Sequence, residues 1–461
     1  MMNETEPFLF NQPFPSANYI SSIAKEIKRK HIHCAAAQQT FQDPKTSPIT
    51  KHYNSTAKKV DTTPVWPPLQ DYLPSSQQNE LLDLYYIHIH PLYPAMDRHY
   101  MQQQLDQCSN NNDPSALWPL FFYSLFSMAA HYSDSLCHDL ADYCLDQALS
   151  WHQLDAKQSP CIMTVLALTF LAKSLELSKK QCHHVTRTWK IADEIFQVIQ
   201  SLGLYTTTTT TDLDDDENEQ ERTVRILWTA FIYERFLGVT TGRPPVIDER
   251  RITIRLPKYM PLDDPSHLDN FRHFIDMGKL AGRIMQVLPE PAGLCAYSSR
   301  KQAMLTSFDA WITENLQQAT TGNRLHTIEK KLIYYDLLIL LHKPFLEDGE
   351  AKEDWNKHCL GSMPPSHRIC TDTAIVISDT ICELDLDDLV YICKKPECFH
   401  ALLTAARIHL LNTSIPDNAK KMIQAKIHFS HSMAAFEALA STSPQAAGIH
   451  SLWQRTIKPF F

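Results

Sequence analysis

Cysteine and histidine side chains that could hold a metal ion lie close together at two places in the sequence. The two sets are Cys182 with His183 and His184, and Cys393 with Cys398 and His400. A thiolate zinc site closes on a tight turn, and the chain contains no C-x-x-C pair that would form one. Adjacent residues of a helix point to different faces, and Lys394-Lys395-Pro396 interrupts the second set. We therefore predict no metal ligand in either set, and we interpret His88 and His90, two residues apart, in the same way.

A run of carboxylates is the second feature with chemical potential. Thr206–Thr211 precedes seven acidic residues within the ten positions of Asp212–Glu221. Such a run has no apolar face to bury, which favours a solvated inserted loop over residues 206–221. The alternative is a magnesium-dependent helical enzyme that acts on a diphosphate substrate, but this would need carboxylates fixed on opposing helices. Deletion of 206–216 would abolish activity only in the second case.

Glycine usage excludes several common catalytic and nucleotide-binding motifs. The chain has 461 residues but only ten glycines, and no two of these are separated by a single residue. Neither a dinucleotide fingerprint, a phosphate-binding loop nor a G-x-S-x-G nucleophile turn is present. Parallel α/β enzymes use glycine at strand-to-helix turns, so the sequence predicts an all-α protein without catalytic residues or a bound cofactor.

Charge and hydropathy restrict the partners. The net charge is −9, which provides no electrostatic footprint for nucleic acid over the whole chain. Met1–Ile20 is too polar for a secretory signal, and the uncharged stretch Pro114–Ser133 contains too many polar residues for a membrane span. We therefore expect no membrane association and reduced thiols.

Composition divides the chain into an arm and a helical body. Residues 1–75 contain nine prolines and no glycine, which favours a disordered arm or linker. Its basic cluster Lys25–His31 fits either a nuclear localisation patch or a solvated tail. Residues 76–461 are predicted to form the helical body. Ser75 or Ser76 is expected to cap a first helix, and Ser159-Pro160 is expected to begin a later one.

Glu221–Gly238 is the most informative predicted helix. Val224, Leu227, Trp228 and Phe231 form an apolar stripe at three- and four-residue spacing, and Arg235 continues that stripe. A guanidinium on a buried face is costly unless carboxylates or carbonyl oxygens meet it. We therefore predict a fixed acidic or carbonyl partner for Arg235. After this helix two prolines force extended backbone, in which Ile252, Ile254 and Leu256 alternate with polar residues.

These residues resemble the signature of the fungal-specific transcription factor domain, the helical regulatory region of binuclear zinc cluster regulators of the xylanolytic activator type. The resemblance covers about residues 76–415. The signature positions that we interpret as structural are Arg222, Arg225, Trp228, Arg235, Gly242, Arg243, Pro244, His342 and Pro344. Further landmarks are Leu81–Pro94, Trp189–Leu204, Tyr334–Phe345 and Cys370 with Ala374.

The resemblance implies a nuclear regulator of genes transcribed by RNA polymerase II. The family's DNA-binding module holds two zinc ions with six cysteines near the N-terminus, whereas Cys34 is the one cysteine before position 100 in this chain. Zinc and DNA binding would then depend on a module that this chain lacks. The alternative is a truncated modulator that pairs with intact regulators and does not bind DNA. Either reading implies transcription regulators or coactivators as partners, together with a small-molecule effector or a second copy of the chain. Target genes, the sign of regulation and the effector stay open.

Overall fold

The protein folds into helices throughout the part of the chain that the structure describes. This computed structural model describes residues 73–109, 117–133, 138–155, 160–178, 181–204, 217–261, 263–287, 299–318, 323–343, 346, 365–413 and 419–456. These residues contain no β-strand, so the predicted all-α class is confirmed. The α-helices are α1 Ser75–His88, α2 Arg98–Ser109, α3 Leu117–Ala130, α4 His138–Asp155, α5 Ile162–Leu177, α6 Gln181–Ser201, α7 Glu217–Thr241, α8 Pro265–Val287, α9 Ser299–Gln318, α10 Arg324–His342, α11 Ser366–Cys382, α12 Leu386–Cys393, α13 Pro396–Asn412, α14 Ala419–Ala438 and α15 Pro444–Thr456.

Three sequence-based expectations lie outside these residues or at their edge. The arm at 1–72 and most of the acidic insertion, residues 205–216, are not described, and neither is Pro344. Residues 217–221, which the sequence assigned to the inserted loop, instead form the first turn of α7. Among the helices described, none combines the length and hydropathy needed to cross a bilayer.

The N-cap residues of two helices differ from those predicted. The N-cap of α1 is Pro74, and no side chain caps this helix. Helix α5 begins at Ile162 after Cys161, so Ser159-Pro160 does not form its start. The Thr164 hydroxyl instead accepts a hydrogen bond from the Cys161 amide at 3.2 Å, which satisfies the free main-chain group at this end.

Helix α7 lies at the centre of the fold. It packs against α5, α8 and α13, and every residue from Val224 to Thr240 is buried. The predicted one-sided stripe was therefore too narrow, because helices cover α7 on several sides. Helices α3 to α6 pack on one another in the first half, and α10, α11, α13 and α14 do so in the second. Helix α7 thus connects the two halves through its contacts with α5 and α13.

Helices α7 and α8 approach closely at Gly282. A Cβ atom at this position would lie 2.7 Å from Nε and 3.0 Å from Cδ of Arg235. Arg235 is fully buried and cannot move aside easily. Glycine at 282 therefore permits the packing of α8 across the side chain of Arg235.

We expect Gly282→Ala to lower the free energy of unfolding by about 1–3 kcal/mol, because the added methyl group overpacks a fixed side chain. Urea denaturation followed by circular dichroism measures the change. Gly448→Ala in α15 is the matched control, since a Cβ atom there meets no atom within 4 Å. This control should stabilise the protein by about 0.5–1 kcal/mol through helix propensity. Similar shifts for both variants would contradict the close packing.

Candidate binding cleft

Arg225 joins three parts of the chain at one side of α7. Its side chain is 5% exposed and donates hydrogen bonds to Glu221 at 3.0 Å and to Asp263 at 2.9 Å. It also donates to the carbonyl oxygens of Pro94, at 3.3 Å, and Lys258, at 2.8 Å. Because two carboxylates and two carbonyl oxygens meet this guanidinium, its charge is compensated inside the protein. Arg225 therefore fixes the turn after α1 and the segment before α8 against α7.

Glu221 extends the same network to the segment between α7 and α8. It is 1% exposed and accepts a hydrogen bond from the main-chain amide of Lys258 at 2.8 Å. Arg255 forms an ion pair with its second oxygen. The indole Nε1 of Trp228 donates to the carbonyl oxygen of Arg255 at 3.0 Å. Two neighbouring turns of α7 thus hold one extended segment. In that segment Ile252 and Ile254 are half-buried, whereas Leu256 is 43% exposed.

Arg235 has the fixed partners that the sequence predicted. Its guanidinium donates to the carboxylate of Glu234 at 2.8 Å and to the carbonyl oxygen of Ile247. It also lies over the ring of Phe231, 4.5 Å from the centroid. Glu234 in turn accepts a hydrogen bond from the amide of Val246. This arrangement attaches the turn after α7 to the core of the protein.

The remaining signature residues are dispersed over the fold rather than gathered in one site. Arg222 lies over the ring of Tyr100, and Arg243 binds Asp193 and the carbonyl oxygen of Trp189. Gly242 has a φ of +74°, which permits the turn that ends α7, and Pro244 follows as an exposed residue.

His342 lies in the last turn of α10, as the sequence suggested. It is buried, and its Nδ1 lies 3.0 Å from the hydroxyl of Ser366. This contact joins the end of α10 to the start of α11.

A cleft with a volume of about 610 Å³ opens beside Arg225, and we call it the Arg225 cleft. It lies between α1, α2 and the start of α8, and Arg225 of α7 lines one side of it. The other lining residues are Tyr86, His90, Pro94, Asp97, Arg98, His99, Gln102, Asp263, Asp264, His267 and Leu268. This volume is in the range of small-molecule sites in proteins.

Aromatic rings form one wall of the Arg225 cleft. The ring centroids of Tyr86 and His90 are 4.7 Å apart, and those of His90 and His267 are 5.8 Å apart. The Tyr86 hydroxyl donates to the carbonyl oxygen of Met96 at 3.3 Å, which fixes its ring. Burial, together with nearby His267 and Arg225, lowers the pKa of His90 to about 3. His90 is therefore neutral at physiological pH, and its buried Nδ1 has no hydrogen-bond partner among the described residues.

The charges around the Arg225 cleft leave carboxylate oxygens unused. Arg225 is met by Glu221 and Asp263, and Arg98 forms an ion pair with Asp83. Asp97 and Asp264 stand at helix starts, and each uses one carboxylate oxygen there. Asp97 accepts from the Tyr100 amide at 2.8 Å, and Asp264 accepts from the Ser266 amide at 2.8 Å. The second carboxylate oxygen of each residue has no hydrogen-bond partner among the described residues. His267 Nε2 lies 3.8 Å from the second oxygen of Asp264, Oδ2.

Two buried ion pairs lie where the halves of the protein meet. Lys173 Nζ of α5 lies 2.9 Å from a carboxylate oxygen of Glu397 in α13, and Lys395 pairs with Glu329 of α10. With Glu176 these residues form what we call the charge cluster. A cavity of about 40 Å³ adjoins it, which is room for about one water molecule. Burial raises the pKa of the Glu176 carboxyl to about 7, and nearby Glu397 adds to that effect while Lys173 opposes it.

The cysteine and histidine sets do not converge on a metal site where the structure describes them. Cys398 is fully buried, and His400 Nδ1 lies 2.7 Å from Asp336. The side chains of Cys182, His183 and His184 are outside the described residues. Within the described part of the chain, no group of three or more His, Cys, Asp or Glu side chains could hold a metal ion.

Sequence reasoning missed both the Arg225 cleft and the charge cluster. Lys173 interrupts the apolar run of α5, and that single cation was a signal for a buried partner. Its partner Glu397 is 224 residues away, so the sequence does not identify it. Lys395 was interpreted as part of an interruption between cysteines, and nothing in its neighbours indicates burial. Asp97 and Asp264 are missed for the same reason, since only the fold brings them together.

Comparison with known proteins gives one family and two individual matches. The sequence profile described as "Fungal specific transcription factor domain" matches residues 82–343. "Protein STB5" of Saccharomyces cerevisiae is 33% identical over 64 residues, which span 14% of this chain and 9% of that protein. The solved structure "Structure of the K. lactis CBF3 core" superposes with a TM-score of 0.55 at 11% identity, covering 96% of this chain and 93% of that one. The last similarity is one of fold alone.

Proposed function

Because the chain belongs to the fungal-specific transcription factor domain family, with the match over residues 82–343, we propose that it provides the helical regulatory domain of a transcription regulator. The family match carries this proposal. The landmarks noted in the sequence between Leu81 and His342 fall almost wholly inside that match. Cys370 and Ala374 lie beyond it, and the packing of α11 and α13 on α10 supports including the C-terminal helices in the same regulatory body.

The regulated genes are proposed to be those transcribed by RNA polymerase II, which places the protein in the nucleus. DNA contact would come from a zinc cluster module outside the residues of this chain, or from a partner regulator. The net charge of −9 supports DNA contact through another module or a partner. Nonspecific DNA affinity comes mainly from cationic side chains that neutralise phosphates. Coactivators or other regulators are the proposed protein partners, and a small molecule bound by the domain is the proposed signal.

The buried polar networks of the fold support the proposed regulatory role. The buried polar groups, including Arg225 with Asp263 and Arg235 with the carbonyl oxygen of Ile247, connect other segments to α7. Such networks specify one arrangement of helices when every member is satisfied. A ligand or partner would change the output by shifting the balance between arrangements for which it has different affinities.

A tethering experiment tests this proposal. The chain is fused to an unrelated DNA-binding domain in yeast, and transcription of a reporter bearing that domain's site is measured. We expect the fusion to raise or lower transcription relative to the DNA-binding domain alone. A fusion to the same chain truncated within α7 serves as a control at matched expression. Unchanged transcription with an intact, nuclear fusion protein would contradict the proposal.

A further inference from the structure

We propose that the Arg225 cleft binds a small planar organic cation, such as an amidinium or guanidinium compound, through its aromatic wall and the carboxylates of Asp97 and Asp264. The inference rests on the proposed function, because it names the chemical class of the signal that the regulatory domain would receive. It concerns a surface that no signature residue other than Arg225 touches.

The aromatic lining of the cleft favours a ligand that can lie against a ring face. The rings of Tyr86, His90 and His267 line one wall, with successive centroids 4.7 Å and 5.8 Å apart and successive ring planes tilted by 60° and 49°. Aromatic side chains bind flat apolar rings by stacking and attract cations to their faces. The volume of about 610 Å³ is ample for a ring that carries one short substituent.

The charges favour a cation over an anion. Arg225 is buried and already paired with Glu221 and Asp263, so it offers little to an anionic ligand, whereas Arg98 forms an exposed ion pair with Asp83. His90 adds no positive charge at neutral pH, because burial lowers its pKa to about 3. Asp97 and Asp264 each keep an oxygen that accepts no hydrogen bond from the described residues. A planar cation with N–H donors would satisfy these oxygens and lie against the aromatic wall.

A polar atom inside the wall gives a second, independent indication. Nδ1 of His90 is buried without a hydrogen-bond partner in the described part of the chain. Buried polar atoms are satisfied in most proteins, and exceptions commonly occur where a ligand or water completes the site. A ligand N–H or N lone pair at the wall would supply this partner.

Two isosteric probes separate the charge requirement from stacking. Benzamidine and benzoate have the same ring and nearly the same shape, but opposite charge. Binding to the purified full chain is measured by ligand-observed nuclear magnetic resonance titration. We expect benzamidine to bind and benzoate to bind more weakly by about tenfold or more. The carboxylates of Asp97 and Asp264, although partly screened, attract the cation and repel the anion. Equal affinity for both probes, or no binding of benzamidine, would overturn the proposal.

Variants locate the bound probe without disturbing the helix starts. Asn is as good an N-cap as Asp, so Asp97→Asn and Asp264→Asn remove charge but keep each cap. Together they should weaken benzamidine binding by about five- to tenfold and leave benzoate unaffected or slightly stronger. Asp269→Asn is the matched control, because Asp269 lies on α8 but does not line the cleft and its side chain is 79% exposed. Equal losses in the control and in the cleft variants would contradict the location.

The test of the binding site and the test of the regulatory function can fail independently of each other. Benzamidine binding that depends on Asp97 and Asp264 supports the site, even if the tethered fusion leaves transcription unchanged. If benzamidine does not bind, the proposed site is contradicted. The regulatory proposal is then still tested by the reporter experiment.

Discussion

Arg235→Met is expected to lower the free energy of unfolding by about 3–5 kcal/mol, since it leaves one partner of a buried ion pair without its counterion. Arg235 is fully buried, and the Glu234 carboxylate beside it is 7% exposed. Methionine would fill much of the same volume but would offer no donor to Glu234 or to the carbonyl oxygen of Ile247. Urea denaturation followed by circular dichroism and by tryptophan fluorescence measures the loss. A variant as stable as the wild type would contradict the role of Arg235 as a fixed core cation.

Three further measurements separate the charge of Glu234 from the packing of Arg235. Burial raises the pKa of the Glu234 carboxyl and Arg235 opposes that rise, so the folded-state pKa should lie still higher in Arg235→Met. A carboxyl with a raised folded-state pKa stabilises the fold while protonated, and this stabilisation is lost as the pH rises through that pKa. The loss of unfolding free energy in Arg235→Met, relative to the wild type, should therefore be larger at about pH 8 than at about pH 5.5. Adding Glu234→Gln should remove this pH difference. Arg235→Lys keeps the charge but not the planar geometry, so it should show a smaller deficit.

Local patterns identified α7 and its buried arginine because both follow from a few neighbouring residues. The spacing of Val224, Leu227 and Phe231 predicts a helix, and Arg235 on the same face requires a partner. The sequence did not reveal that the opposite face is buried as well. That burial depends on α5, α8 and α13, whose contacts are set by the tertiary fold. The predicted N-caps at Ser75 or Ser76 and at Ser159 were wrong for a related reason, since good capping residues only permit a helix to begin.

The cleft was beyond sequence reasoning because its residues come from separate parts of the chain. Asp97 and Asp264 each look like ordinary helix N-caps, and their remaining oxygens gain a role only when the fold brings the starts of α2 and α8 to the same cleft. Arg225 was recognised as a signature position, but its partner Asp263 lies 38 residues away in the segment before α8. Long-range partners of this kind leave no periodic signal, so a single sequence does not identify them.

The charge cluster explains how the C-terminal helices are attached to the matched family domain. Lys173 and Glu329 lie within residues 82–343, whereas Lys395 and Glu397 lie beyond them. Each ion pair therefore joins α13 to the family domain, Lys395 to α10 and Glu397 to α5. Because a buried ion pair tolerates little displacement, these contacts restrict how α13 can move relative to α5 and α10.

Lys395→Met is expected to lower the free energy of unfolding by about 3–5 kcal/mol, because Glu329 would remain buried without its cation. Lys395 is 5% exposed and also lies over the ring of Tyr391, 5.1 Å from the centroid. Hydrogen exchange should rise first in α13 and α10, which the pair connects, and least in α3. Chemical denaturation and peptide-level hydrogen exchange measure the two effects.

A double variant distinguishes the lost charge balance from lost packing. Lys395→Met combined with Glu329→Gln replaces the pair by neutral groups of similar volume, so most of the lost stability should return. Lys420→Met, at an exposed lysine of α14, controls for the substitution itself and should change stability by no more than about 0.5 kcal/mol. If the double variant is as unstable as Lys395→Met alone, packing of the lysine side chain and not charge compensation holds α13 in place. If both are as stable as the wild type, the ion pair contributes nothing, and the attachment of the C-terminal helices rests on their apolar contacts with α10.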